Sequence, residues 1–475
     1  MRTPVSLALL ALLAGSAAAS QEKTPRPPNV ILINIDDLGY ADIGPFGSTL
    51  HRTPHLDRMA SEGRKLTCFY AAPVCSPSRA SLLTGCLPKR VGIPGVLFPG
   101  NVAGLHPNER TLAEFLKDRG YATLIVGKWH LGDQPEFLPT RQGFDHYFGI
   151  PYSNDMGPDA DGARSDLGKP LPDPARKPHP PIPLLRDEIV IERVRGEEQT
   201  TLVARYTEEA EKFVRAHADR SFFLYLAHTA VHFPLYPGKA FQGKSKNGLY
   251  GDWVEEMDWS VGRVLSAVRD LKIAERTLVL FVSDNGGTPR AVNAPLRGHK
   301  ASTLEGGMRV PAIVWWPGTI PAGTATGEVT GMIDVLPTVV KLAGGAVPSE
   351  PALDGRDAWP VYSGSSGGKS AHEFFPYFQG NALSAIRSGP WKLELKSGKL
   401  FDLDADIGES KDVAAENGAV VKNLRDLASK VAADLGDGAP GPGCRPAGRA
   451  AKARPILDAE GNVRPENRGE KARFE

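Results

Sequence analysis

At 475 residues the chain is long enough to bury a large core in one big domain with a smaller companion, or in two to three average domains. Its 56 Lys and Arg against 55 Asp and Glu leave a formal net charge of +1. That balance argues against a general binder of nucleic acid or membrane surfaces, which needs a basic excess or long basic runs, so any anion recognised here must be met by a local cluster.

The opening stretch MRTPVSLALLALLAGSAAAS has Arg2, an apolar run from Val5 to Leu13 and small residues up to Ala19, the layout of a cleavable secretory signal over residues 1–20. The run is too short to span a bilayer, and no later apolar stretch reaches transmembrane length. The expected location is therefore outside the cytoplasm, periplasmic or secreted. Four cysteines, Cys68, Cys75, Cys86 and Cys444, are few for an exported disulfide scaffold, so the fold must stand on its core. The pairing of Cys68, Cys86 and Cys444 is open.

After a polar, proline-rich segment comes NVILINIDDLG, with the Val/Ile/Leu density of a buried parallel strand and an end at Asp36 and Asp37. TPHLDRMASEG reads as a helix capped by Thr53 with Pro54 in its first turn, and PVCSPSRASLLTG as a helix starting near Pro77 and Ser78 with Leu82 and Leu83 facing the core. TLAEFLKDRG is a helix, and YATLIVGKWHLG a strand that ends in Lys128 and His130. Residues 154–200, rich in Pro, Gly and charge, read as a long surface excursion of the kind that shapes a pocket. YTEEAEKFVRAHAD is a helix, SFFLYLAHTAVHFP a strand followed by His228 and His232, GDWVEEMDWSVGRVLSAVRDL a long helix, and TLVLFVSDNGG a strand ending in Asp284 and Asn285. MIDVLPTVVKLAGG reads as a capped helix; LSAIRSG, PWKLELKSG and KLFDL then suggest a small antiparallel sheet, followed by the helix VVKNLRDLASKVAADLG. From Gly436 onward Gly, Pro, Ala and charge dominate, the composition of a poorly ordered tail.

Strands alternating with helices predict an α/β fold: a large mixed, mostly parallel sheet sandwiched by helices, with a smaller C-terminal antiparallel sheet and helix. The expected units are a catalytic domain over 28–345, a subdomain over 346–436 and a disordered tail over 437–475. Ligands of such sheets bind beyond the carboxyl ends of the strands. One DD or DN pair alone is an ordinary turn; four strands ending in functional side chains converge on one place.

The chemistry of that place follows from its donors. Asp36, Asp37, Asp284 and Asn285 offer only oxygen, which suits a hard cation, calcium or alternatively magnesium. Arg79, Lys128, Lys300, His130 and His232 add positive charge and proton-transfer groups, the equipment for a tetrahedral oxyanion, phosphate or sulfate. Cys75 at a helix start is an activated thiol in principle, yet a soft thiolate suits a hard cation and an oxyanion ester poorly.

CSPSRASLLTG resembles the Cys-x-Pro-Ser-Arg signature of type I sulfatases, the formylglycine-dependent family within the alkaline-phosphatase-like superfamily. NVILINIDDLGYADIGPFG, GYATLIVGKWHLG, FFLYLAHTAVHFPL, LVLFVSDNGG and HKASTLEGGMRVPAIVWWPG are similar to family blocks in the same order over about residues 28–400. The segments around Gly95–Pro158 look most like the arylsulfatase A branch, with the N-acetylgalactosamine-6-sulfatase branch next. The resemblance implies a sulfuric ester hydrolase. Cys75 would be converted by a maturation enzyme to formylglycine, whose hydrated form attacks sulfur through a sulfoenzyme intermediate. Calcium would be held by Asp36, Asp37, Asp284, Asn285 and the modified Cys75. Arg79 would orient the modified side chain, Lys128 and Lys300 would bind sulfate, His232 or Lys300 would protonate the leaving alcohol, and His130 would accept a proton at release. Between Asn154 and Leu185 the cysteine-rich segments of animal arylsulfatase A are replaced by a Pro-rich stretch, so a different pocket wall is expected and a lipid substrate is not to be assumed; a sulfated sugar is the preferred expectation. The rival readings are a formylglycine-dependent phosphonate or phosphate ester hydrolase and a non-catalytic sulfated-glycan binder.

Overall fold

A computed structural model describes residues 26–167, 169–170 and 179–469. The secretory signal expected at residues 1–20 lies outside the described residues. Ten strands form the path of the main sheet: β1 (Asn29–Ile35), β2 (Arg64–Tyr70), β3 (Ala122–Gly127), β4 (His146–Gly149), β5 (Ile182–Arg186), β6 (Ile189–Val194), β7 (Phe222–Ala227), β8 (Thr277–Ser283), β9 (Arg309–Trp315) and β10 (Thr324–Thr326). Their order is β10-β2-β9-β8-β1-β7-β3-β4-β5-β6, and Thr330–Gly331 adds a pairing to β2. The five central strands, β8-β1-β7-β3-β4, run parallel. Antiparallel strands flank them, β9 on one side and β5 and β6 on the other.

Every residue of β1, β3, β7 and β8 is buried, as expected of parallel strands covered on both faces. The period-2 alternation splits β1 between two cores. Val30 and Leu32 pack with α2 (Cys75–Thr84), α3 (Leu112–Lys117) and α6 (Val335–Leu342) through Leu82, Leu83, Phe115 and Val339. Ile31, Ile33 and Ile35 pack with α1 (Pro54–Glu62), α4 (Leu202–Ala216) and α5 (Gly248–Asp270) through Met59, Tyr206 and Val261. A third core joins the antiparallel strands β11 (Phe375–Gln379), β12 (Ala382–Ser388), β13 (Trp391–Glu394) and β14 (Leu400–Asp402) to α7 (Gly418–Leu435), and includes Cys68, Tyr70 and Met308 of the main domain.

Four local expectations change. Thr53 makes no capping bond; its hydroxyl accepts from Gly44 N at 2.8 Å, and the carboxylate of Asp258, from α5, takes the His55 and Leu56 amides at 3.2 and 2.8 Å. A neighbouring helix therefore replaces the local cap. Helix α2 starts at Cys75 itself rather than at Pro77. The excursion over 154–200 is not all surface: β5 and β6 extend the main sheet, with Ile182, Leu184 and Leu185 fully buried. The described part of the tail after Gly436, residues 437–469, is anchored to the main domain. Gly448–Arg449 pairs with Ala103–Gly104, Ile456 and Leu457 enter the first core, and Arg464 donates to Asp133 O at 2.8 Å and Gln134 Oε1 at 3.1 Å. Its composition lacks the periodicity of a helix or strand, but a few anchors suffice to tie down a terminus. All four cysteines are free thiols.

Candidate active site

Strand register sets the site. Ile35 lies opposite Ser283, Asn34 opposite Ala227 and Ala227 opposite Gly127, so Asp36, Asp284 and Lys128 emerge at one level of the parallel sheet. The ladder continues past the strands: Asp284 N donates to Ile35 O at 2.9 Å, and Lys128 N to Ala227 O at 2.7 Å. Gly127 is required where it stands, since a Cβ would fall 1.9 Å from the Ala227 carbonyl oxygen and φ is +108°. Asp37 and His130 adopt φ of 62° and 64°, left-handed conformations uncommon for non-glycine residues and concentrated at functional sites.

Arg79, one turn into α2 and fully buried, ties the acids together. Its Nη2 donates to Asp36 Oδ2 at 3.0 Å and Asp284 Oδ2 at 2.8 Å, its Nε to Asp284 Oδ2 at 3.1 Å and its Nη1 to Lys128 O at 2.7 Å. Lys128 Nζ meets Asp36 Oδ2 at 2.5 Å and the Ser153 hydroxyl at 3.2 Å. Cys75 Sγ lies 3.3 Å from Asp36 Oδ1 and 3.5 Å from Lys300 Nζ. Lys300 Nζ also reaches Asp37 at 2.7 Å, and His232 Nε2 stands 3.6 Å from Asp37 Oδ2.

Electrostatics sorts these groups by role. Burial would raise the Asp36 carboxyl, but Lys128, His232 and Arg79 outweigh it and hold it far below the usual carboxylate range. Asp284 is raised, first by burial and then by Asp36. Burial followed by Lys128 and Arg79 holds His130 well below its ordinary value, so it is neutral. Its Nε2 faces the Leu97 carbonyl at 3.0 Å. A carbonyl only accepts, so Nε2 carries the hydrogen and Nδ1, buried with no hydrogen-bond partner, holds a free lone pair. Burial, then Asp284 and Asp36, pushes the Cys75 thiol well above its usual range; unmodified, it is a neutral thiol.

Ligand atoms of Asp36, Asp37, Cys75 and His232 lie within 4.8 Å of one another. Asp284 Oδ1 accepts from Asp37 N at 3.3 Å, and Asn285 Nδ2 donates to Asp37 Oδ1 at 2.7 Å. Asn285 Oδ1 is buried without a hydrogen-bond partner beside the acids. An orphaned oxygen in an oxygen-rich acid cluster fits a hard cation. The structure thus brings together Cys75, Arg79, Lys128, His232, Lys300 and the four oxygen donors, with His130 flanking Lys128. Ser153 was absent from the sequence reading; its hydroxyl bridges Lys128 Nζ and His232 Nδ1, 3.4 Å away. Its one signal is position, four residues beyond β4, a strand too short to stand out. His228 belongs elsewhere: its Nε2 pairs with Ser260 Oγ at 3.0 Å, and burial lowers it to about 3.

An acid cluster suited to a hard cation, a buried helix start bearing a potential nucleophile and three cationic side chains at the carboxyl end of a parallel sheet define a hydrolase of oxyanion esters. The Sulfatase family model matches residues 28–346, and the chain belongs to the sulfatase family, enzymes that hydrolyse sulfate esters. It is 40% identical over 402 residues to N-acetylgalactosamine-6-sulfatase of Canis lupus familiaris, spanning 81% of this chain and 74% of that protein. It is 41% identical over 408 residues to arylsulfatase A of Homo sapiens, spanning 82% and 78%. Among solved structures, Ps i-CgsB in complex with k-i-k-neocarrahexaose matches with a TM-score of 0.72 and 30% identity over 86% of this chain and 93% of that one. The PsFucS1 sulfatase from Pseudoalteromonas sp. matches with a TM-score of 0.77 and 25% identity over 86% and 90%.

Proposed function

We propose that this sulfatase is exported and removes a sulfate monoester from a carbohydrate, with a nucleophile made by oxidising Cys75 to formylglycine. The observation that carries this reading is the position of Cys75: first residue of a buried helix, within 3.5 Å of both an acid of the cation cluster and the ammonium of Lys300. A neutral, buried thiol is a poor nucleophile there, whereas an aldehyde hydrate presents oxygen to the same neighbours. An aldehyde at this position requires a formylglycine-generating maturation enzyme as partner. Signal-like residues 1–20 support export, and no helix among the described residues is long and apolar enough to cross a membrane. The oligosaccharide in one similar structure and the N-acetylgalactosamine-6-sulfatase relatives support a sulfated sugar.

Calcium, or alternatively magnesium, would be held by Asp36, Asp37, Asp284, Asn285 and the oxidised side chain at position 75, and when bound it supplies positive charge to the ester oxygens. The protein's own groups do the rest. Arg79, pinned by two carboxylates and a carbonyl, fixes the start of α2 and with it position 75. Lys128 and Lys300 stand ready to hold sulfate oxygens, with the negative charge of the ester replacing part of the carboxylate contact each now makes. His232, whose Nδ1 donates to the Phe233 carbonyl at 2.5 Å, presents Nε2 toward the cluster; it or Lys300 supplies the proton that the departing alcohol oxygen needs. His130, with a free Nδ1, is the base for the release step.

Mass spectrometry of the tryptic peptide carrying Cys75, from protein coexpressed with a maturation enzyme, tests the reading. Formylglycine lowers the mass by about 18 Da relative to the thiol, and turnover of an aryl sulfate should track the modified fraction. An unmodified thiol in fully active protein would rule out the proposed nucleophile. Parallel assays on aryl phosphate separate the phosphoesterase reading, which requires phosphate to be the faster substrate.

A further inference from the structure

Lys300 sits on no strand. It lies in the loop between β8 and the short helix Glu305–Met308, and hydrogen bonds hold the backbone around it on both sides. Lys300 N donates to Gly287 O at 3.0 Å and Ala301 N to Pro73 O at 2.8 Å. Those two bonds tie the loop to the Asp284–Asn285 turn and to the approach of Cys75. The next two come from the C-terminal subdomain: Gln379 Nε2 at the end of β11 donates to Ala301 O at 2.8 Å, and Lys392 Nζ of β13 donates to Thr303 O at 2.8 Å. Ala301 is held in a left-handed conformation, φ 66°, which a β-carbon disfavours, so its peptide needs its partners to stay turned.

Lys392 is fully buried, and its ammonium also meets Glu305 Oε1 at 3.0 Å and Glu409 Oε1 at 2.8 Å. Glu409 Oε2 accepts from Glu305 N at 2.8 Å, and Glu305 further accepts from Tyr377 and Tyr70 at 2.9 and 2.7 Å. A hydrophobic joint would have sufficed to dock a small sheet on a large one. Besides its apolar contacts the joint places buried charge on the five residues that follow Lys300, and paired charge of this kind holds a geometry that apolar packing alone leaves free.

We propose that Gln379 and Lys392 are positioning residues for catalysis: the C-terminal subdomain aims Lys300 at Asp37 and the Cys75 side chain by holding the Ala301 and Thr303 carbonyls. The inference rests on the reading of Lys300 as a group that contacts the sulfate ester. Gln379 is exposed, so Gln379→Ala is expected to keep the melting temperature while lowering kcat on an aryl sulfate about fivefold, the scale of one hydrogen bond. The discriminating measurement is a double-mutant cycle on matured, calcium-loaded protein. If Gln379 acts through Lys300, Gln379→Ala is silent in the Lys300→Ala background. Equal fold-losses in both backgrounds, or no loss in the wild-type background, would overturn the proposal. Undiminished activity of Lys300→Ala by itself would instead refute the role given to Lys300. Lys392→Met leaves two buried carboxylates short of a partner and serves only if it folds; the Gln379 cycle decides without it.

Discussion

The active site has two halves built in different ways. Asp36, Asp37, Asp284, Asn285 and Lys128 leave the ends of strands in one parallel run, β8-β1-β7-β3, so the backbone ladder itself sets their spacing. Lys300 and His232 ride on loops, and Lys300 is aimed by hydrogen bonds from a second sheet whose residues lie some way along the chain. The strand-end half gathers like charges where a rigid frame and Arg79 can hold them against repulsion. The loop half carries the two groups assigned above to the ester and its leaving oxygen, and its rigidity is borrowed. A parallel sheet is good at holding carboxylates still; a loop holds an ammonium still only when something else grips the loop.

The contrast can be broken from its centre outward. Cys75 is the residue on which both halves meet, and Cys75→Ala should lower aryl sulfate turnover at least about 10³-fold with the melting temperature intact, read by steady-state kinetics beside calorimetry. Removing the tie of the strand-end half alone, by Arg79→Met, leaves Asp284 buried without its cation and Asp36 with Lys128 alone. Loss of activity should then come with a stability loss of about 3–5 kcal/mol in chelator-treated protein, read by urea unfolding. A variant that lost activity but not stability would show that the frame stands without its arginine.

The loop half has a pH signature of its own. Burial opposes ionisation of Glu305, but Lys392, then Arg309 and Arg387, hold its carboxyl down to about 2. The folded value lies below the unfolded one, so this stabilisation is present above an unfolded pKa of about 4.3 and is lost as pH falls toward the folded value. Glu305→Gln should therefore lower stability at pH 7 and flatten the acid limb between about pH 4 and 2, measured as urea midpoints against pH. The smallest effect is expected at the tail. Arg464 holds the Asp133 carbonyl and the Gln134 side chain, three and four residues past His130, and Arg464→Met should cost about 1–3 kcal/mol with little change in kcat. A large fall in kcat would show that the strand-end half is braced from outside as well.

Much of the strand-end half was legible because two signals coincide in it. NVILINI and TLVLFVS are dense in Val, Ile, Leu and Phe, and each gives way at once to acids or amides, a transition that a buried strand makes at its end. Ser153 escaped because His146–Gly149 is short and starts on an exposed residue. The joint of Glu305, Lys392 and Glu409 escaped because each residue alone reads as ordinary surface charge, and only the fold shows that all three are buried or nearly so. The tail was expected to be disordered on composition, which measures the lack of a periodic face and is blind to a few long-range anchors such as Ile456 and Arg464. The capping of α1 failed for a related reason: Thr53 is a good cap locally, but Asp258 arrives from α5 and takes the amides first.

By itself, then, the sequence determined the α/β alternation, the strand-end acids and the signature around Cys75, because hydrophobic period and motif spacing are local properties that the chain carries wherever it folds. Only the tertiary structure decided which charges are buried against which, how the tail docks and what aims Lys300. Those contacts join residues far apart in the chain, and their energies exist only once burial has removed the competing water.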